Sequence, residues 1–365
     1  MGRLFFELLR VAVGQQDCLS HTPTAYEWRE LYAMAEKQAV LGICFHGVER
    51  LHKQKQTPPQ DLLFEWIGIT EYIKQKNAFL DKQCEKLQAM LKEVGIRSSI
   101  LKGQGIARYY GELAHFRQPG DIDIYVDCGR DRALQFAYDN GHKDVNWDYK
   151  HLHLDVFKDA EVEVHYRVEV LLNLWKNKRL QRWFREHQDA IQSSKFKVQG
   201  GEIITPTTEF NVFYILLHIY RHFLYEGVGL RQIVDYYMAL RMVNCSRLMV
   251  HDYVNAVHEF RMEKFAKGLM WVMHETLGMS RDWMLWEPDE KEGRYILNQV
   301  MTGGNFGHHD ERLKHTCGKI GAVKAILTHN LHLLTHYPSD VIWAPVWIVW
   351  HKCWKMWIQF KGLRG

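Results

Sequence analysis

Over the first 95 positions the apolar residues recur every three to four residues, a period that predicts helices. Two stretches carry it, YEWRELYAMAEKQAVLGICFHGVERL and DLLFEWIGITEYIKQKNAFLDKQCEKLQAMLKEVG, and Gly95 ends the second. The pattern then changes. RSSILKG predicts a short strand, QGIARYYGEL a helix, Pro119-Gly120 a break, DIDIYVD a strand, and RDRALQFAYDNG a helix ending at Gly141. HLHLDVFKDAEVEVHYRVEV alternates on both sides of Lys158-Asp159 and predicts a β-hairpin. From residue 171 onward helical spacing returns, and Pro206-Thr207-Thr208 marks a helix start. The pattern contains no repeat and no low-complexity segment. It divides the chain into an N-terminal helical region (1–95), a small α/β core (96–170) and a C-terminal helical region (171–365). The fold class expected is α+β, a small mixed sheet flanked by helices.

Composition narrows the classes of function. With 365 residues, 47% of them hydrophobic, the chain can bury a substantial core. A net charge of +4 is slight for that length and gives no reason to expect duplex nucleic acid as a partner. Seven scattered cysteines, an odd count without a CxxC pair, argue against a disulfide framework or a zinc cluster. A reducing, cytoplasmic setting is the expectation. Glu7 and Arg10 interrupt any signal-peptide core, and VIWAPVWIVW is too short to span a bilayer.

Asp121 and Asp123 stand two apart in a β-branched run, so a strand would point both carboxylates to one face, where they repel. In the hairpin, His151, His153 and Asp155 alternate with apolar residues on one arm, and Glu161, Glu163, His165 and Arg167 on the other. If the apolar faces coincide, so do the polar ones. Alone, this hairpin also fits an ordinary solvated face. Preceded by a glycine turn (LKGQG) and Asp-x-Asp, it predicts three carboxylates at one sheet edge, a site for hard divalent cations, chiefly Mg2+. Such ions clamp the attacking and leaving oxygens of a phosphoryl displacement.

These residues resemble the bacterial nucleotidyltransferase family 5, a branch of the polymerase-β-like nucleotidyltransferase superfamily. Lys102-Gly103 matches its turn, Arg117-Gln118-Pro119-Gly120-Asp121-Ile122-Asp123 its Arg-x-x-Gly-Asp-x-Asp, and Glu163-Val164-His165-Tyr166 its third motif. His218 and Asp235 match positions that recur in the branch's helical part. The resemblance covers roughly residues 98 to 240. It implies transfer of NMP from an NTP to an acceptor, with pyrophosphate released. Asp121, Asp123 and Glu163 would be the catalytic and metal-binding residues, for Mg2+ or Mn2+. Lys102, Gly103, Gln104, Arg117 and His165 would bind the nucleotide, and His153, His218, Arg231 and Asp235 would meet acceptor or phosphate. Gln104 departs from the superfamily's Ser, and the spacing from Gly103 to Asp121 is longer than usual.

Other candidates are plainer. His218 and His222 have metal-ligand spacing without the Glu of a zincin motif, and GGNFGHHDER reads as a glycine-rich loop. Arg221 and Arg231 could reach phosphates or belong to a helix surface. Trp343, Trp347, Trp350, Trp354 and Trp357 form a helical stripe expected to pack on the same chain with most indoles buried. Its rival is an interfacial membrane helix. Two alternatives to the enzyme therefore stand: a binding protein on a nucleotidyltransferase scaffold, and a membrane-surface or assembly module.

Overall fold

The structure, a computed structural model, describes residues 2–198, 201–305 and 332–362. His308, His309 and Asp310 of the glycine-rich loop lie outside the described residues. The described chain divides into two compact units.

The first unit takes residues 2–79, 106–119 and 208–305 of the described chain and is helical. The Ala25–Lys37 helix starts at a capping box, with Thr24 accepting from the Glu27 N–H while Glu27 returns to the Thr24 N–H. The long Gln60–Glu93 helix gives this unit Leu62, Trp66, Thr70, Ile73 and Asn77, a buried stripe at three-to-four spacing. The Thr208–Tyr225 helix is apolar nearly all round and is correspondingly buried on every side. Gly42 sits where an added Cβ would fall 2.2 Å from the Phe116 carbonyl oxygen, so the Leu41–Leu51 helix needs glycine there to pack.

The second unit takes residues 80–105, 120–207 and 332–362 of the described chain. It holds a four-stranded mixed sheet of β1 (Ser98–Ile100), β2 (Ile122–Val126), β3 (His151–His153) and β4 (Val162–His165) in the order β1-β2-β4-β3. β2 and β4 are parallel, and the two outer pairs are antiparallel. The parallel pair requires a crossover, which contains the Gly129–Asp139 helix. Register aligns Ile122 with Val162, Ile124 with Val164, and Leu152 with Val164. These residues form one apolar, buried face, so the polar alternates share the other. The α+β class and the 151–165 hairpin follow the sequence pattern.

Two expectations need correction. The region beyond residue 170 also contains an antiparallel hairpin of β5 (Ser194–Val198) and β6 (Gly201–Thr205). Its arms are short, and only β5 alternates lysine with apolar residues, a signal that surrounding helical periods obscure. The Trp stripe packs within its own unit but is not buried. Tyr149 meets Trp347, Trp350 and Trp354 at ring separations of 5.4, 5.0 and 5.0 Å, and Trp147 meets Trp354. Four of the indoles stay half-buried and Trp357 is 52% exposed, because the short segment before β3 that carries Trp147 and Tyr149 covers only part of a 20-residue helix (Trp343–Gly362). No helix among the described residues is long and apolar enough to cross a membrane.

Candidate functional site

The turn after β1 folds back on the sheet. The Leu101 N–H donates to the Asp123 carbonyl at 2.9 Å, and Gly103 adopts a positive φ of 55°. A Cβ at Gly105 would lie 2.4 Å from the Ile100 carbonyl oxygen, so the reversal is closed to larger residues. This turn sends the Lys102 ammonium to Asp123, with Nζ 2.7 Å from Oδ1.

Strand register assembles the rest. Asp123 lies opposite Glu163 across β2–β4, and His151 and His153 lie opposite His165 and Glu163 across β3–β4. All five therefore share the polar face, as the alternation predicts. His165 is fully buried, and its Nε2 lies 2.9 Å from Asp123 Oδ1 and 3.2 Å from Glu163 Oε2. His151 Nδ1 is 3.7 Å from Glu163 Oε2. Nitrogen or oxygen atoms of His151, Glu163 and His165 all lie within 4.8 Å of one another. His153 is more exposed and only borders the group, its ring 5.0 Å from that of His151. Asp121 stands exposed one residue before β2.

The electrostatics follow from this packing. Burial favours a neutral Asp123, but Lys102 and His165 outweigh it and hold the carboxyl well below its ordinary range. Burial works against a charged Lys102 as well, and the carboxylates of Asp123, Glu163 and Glu169 overcome it, raising the ammonium above its usual value. Burial and the Asp123 charge would raise Glu163, yet the His165 hydrogen bond and Lys102 bring it down to about 2. Burial and neighbouring His165 push His151 down to about 4. Lys102 thus offsets the repulsion between Asp123 and Glu163, whereas Asp121, expected on the same strand face, stands exposed ahead of β2.

The donor set also fits a divalent cation. The buried Nδ1 of His151, 3.7 Å from Glu163 Oε2, has no hydrogen-bond partner, and His165 turns its Nε2 to the same carboxylate, so ring nitrogens stand at the carboxylate cluster. Carboxylates alone suit Mg2+, and added imidazoles suit Mn2+ better.

The remaining predicted residues go elsewhere. Gln104 is buried and donates its amide to Asp81. Arg117 and Asp235, in the helical unit, pair with each other: Nε to Oδ1 at 2.7 Å and Nη2 to Oδ2 at 2.8 Å, with the Tyr110 hydroxyl also donating to Oδ1 at 2.7 Å. Arg231 Nη1 reaches the Pro119 carbonyl at 3.3 Å. His218 is buried with its ring 4.2 Å from that of His222.

Sequence reasoning missed Glu169 in this electrostatic set. Glu169 is fully buried and pairs with Lys150 at 3.4 Å. A carboxylate inside the apolar run RVEVLL was its one signal.

A family model described as an uncharacterised nucleotidyltransferase matches residues 24–278. Among solved structures, the chain is similar to an antigenic nucleotidyltransferase-like protein from Paracoccidioides brasiliensis, at 14% identity and a TM-score of 0.30, covering 47% of this chain and 76% of that one. No curated protein matches the chain.

Proposed function

The chain belongs to this family of uncharacterised nucleotidyltransferases, and on that premise we propose that it transfers NMP from an NTP to a nucleophilic acceptor with loss of pyrophosphate. The observation that carries the proposal is the in-register placement of Asp123 and Glu163 beside a glycine turn that begins with Lys102. Asp121, Asp123 and Glu163 would hold Mg2+ or Mn2+, with His151 available as a nitrogen donor. The cation, when bound, would supply charge neutralisation at the transferring phosphoryl group and acidify the acceptor. Lys102 sits beside the acids and would trade its bond to Asp123 for a phosphate oxygen of the β or γ group. Backbone N–H groups of the turn at Gly103 and Gln104 would add neutral donors. His165 would hold Asp123 and Glu163 in their relative orientation. Arg117 and Asp235 satisfy one another, so their assigned role here is structural. A cytoplasmic site of action is part of the same proposal.

One observation favours a second reading. Lys102 already neutralises Asp123 without metal, as expected of a binding scaffold that no longer turns over. Incubating the full chain with each labelled NTP and Mg2+ or Mn2+ separates the two. Pyrophosphate release or self-labelling, lost in Asp121→Asn, supports transfer. NTP binding with no product across all four nucleotides and both metals supports the scaffold.

A further inference from the structure

We propose that a cavity at the C-terminal ends of β2 and β4 binds a small phosphate monoester, a site separate from the acidic cluster. The cavity measures about 380 Å³ and lies wholly in the sheet-bearing unit. Tyr125, at the end of β2, and Tyr166 and Arg167, just past β4, line it. Because the two strands are parallel, these ends share one edge of the sheet. Asp123 and Glu163 are each the second residue of their strand, toward the opposite edge.

Three guanidinium groups line the cavity, those of Arg130, Arg167 and Arg185. The one carboxylate on its wall, Asp127, is paired with Arg97. Arg130 pairs with Asp131 beside it. Among the described residues Arg167 and Arg185 have no carboxylate partner. Arg167 is nevertheless fixed. Its guanidinium lies 3.9 Å over the Tyr149 ring and 5.7 Å from that of Tyr166, and its Nη1 donates to the Tyr149 carbonyl. Most of its N–H donors remain unspent. A held, unpaired guanidinium costs stability unless an anion completes it, and with Arg185 on the same wall the pair matches a phosphate dianion better than a single carboxylate. The volume falls in the lower range for small-molecule sites, and tyrosine rings give the organic part of the ligand an apolar wall. A sugar phosphate meets both requirements.

The proposal does not rest on the nucleotidyl-transfer reading, and its test avoids that chemistry. The full chain, kept in EDTA, is titrated calorimetrically with ribose 5-phosphate, with ribose as the uncharged control. Binding of the phosphate ester alone is expected. Arg185→Gln, an exposed change, and Arg167→Lys, which keeps the charge and loses the fork, should each weaken it about tenfold or more. Asp121→Asn should bind as the wild type does. No heat with ribose 5-phosphate at millimolar concentration overturns the proposal. So does unchanged affinity in both arginine variants, or loss of binding in Asp121→Asn.

Discussion

Lys102 and Asp123 form a buried ion pair, Nζ to Oδ1 at 2.7 Å, and His165 approaches the same oxygen at 2.9 Å. The pair gives the two aspartates of the Asp-x-Asp motif different energetics. Asp121 is exposed and carries no such partner network, so Asp121→Asn should leave stability within about 0.5 kcal/mol. Asp123→Asn removes one member of a buried pair and leaves the Lys102 ammonium to the more distant Glu163 and Glu169, which should cost about 3 kcal/mol. Repulsion between the two carboxylates alone would make the loss of either charge stabilising, but at Asp123 the charge is already compensated by Lys102. Both variants should lose NTP turnover. Urea denaturation beside a pyrophosphate assay reads both effects, and equal stability of the two variants would contradict the role given to Lys102.

The polar face was legible because strand alternation has period two. Once Ile122, Ile124, Val162 and Val164 must face inward together, Asp123, Glu163 and His165 are committed to the same side. Partners brought in by tertiary packing were not legible. Nothing local tells that Gln104 will meet Asp81, or that Arg117 will find Asp235, 118 residues away. Period two also cannot choose between His151 and His153, which share a face. Backbone N–H groups of Lys150 and His151 donate to the Asp148 carboxylate, a turn that fixes the start of β3 and helps bring His151 to the cluster.

The Arg117–Asp235 pair should behave as structure rather than as chemistry. Both side chains are about 5% exposed, and the geometry is bidentate. Asp235→Asn leaves a buried guanidinium half-satisfied and should destabilise the chain by roughly 3–5 kcal/mol. Arg117→Lys keeps the charge but loses the fork, so it should fall well short of the wild type. In a double-mutant cycle of Arg117→Met and Asp235→Leu, each single variant should cost more than the pair together. Additive losses would show that the two residues act separately.

Acid stability should report Glu163. Its folded value, about 2, lies below the ordinary carboxylate value near 4.3. The unfolded chain therefore binds the proton first. The stability that Glu163 contributes is fully present above about pH 4.5 and disappears as pH falls toward 2. Glu163→Gln has no such proton to take up, so its stability should fall less steeply across that interval. Parallel thermal melts in EDTA from pH 5 to about 2.5 would compare the slopes, and identical slopes would place the acid sensitivity elsewhere.

Metal binding should be visible without any reaction. A ligand that binds only the folded chain stabilises it by RT ln(1 + [L]/Kd), about 2.7 kcal/mol at a hundredfold excess over Kd. Mn2+ should raise Tm by several degrees relative to EDTA and by more than Mg2+ does, because imidazole nitrogens of His151 and His165 stand among the carboxylates. His151→Gln keeps a neutral polar side chain but removes a nitrogen donor. It should therefore lower the Mn2+ shift toward that of Mg2+ while leaving the Mg2+ shift nearly unchanged. Glu163→Gln should abolish both shifts. If Tm is the same in EDTA and in excess Mn2+, the acids are held by Lys102 and His165 alone and the chain is a scaffold without a metal.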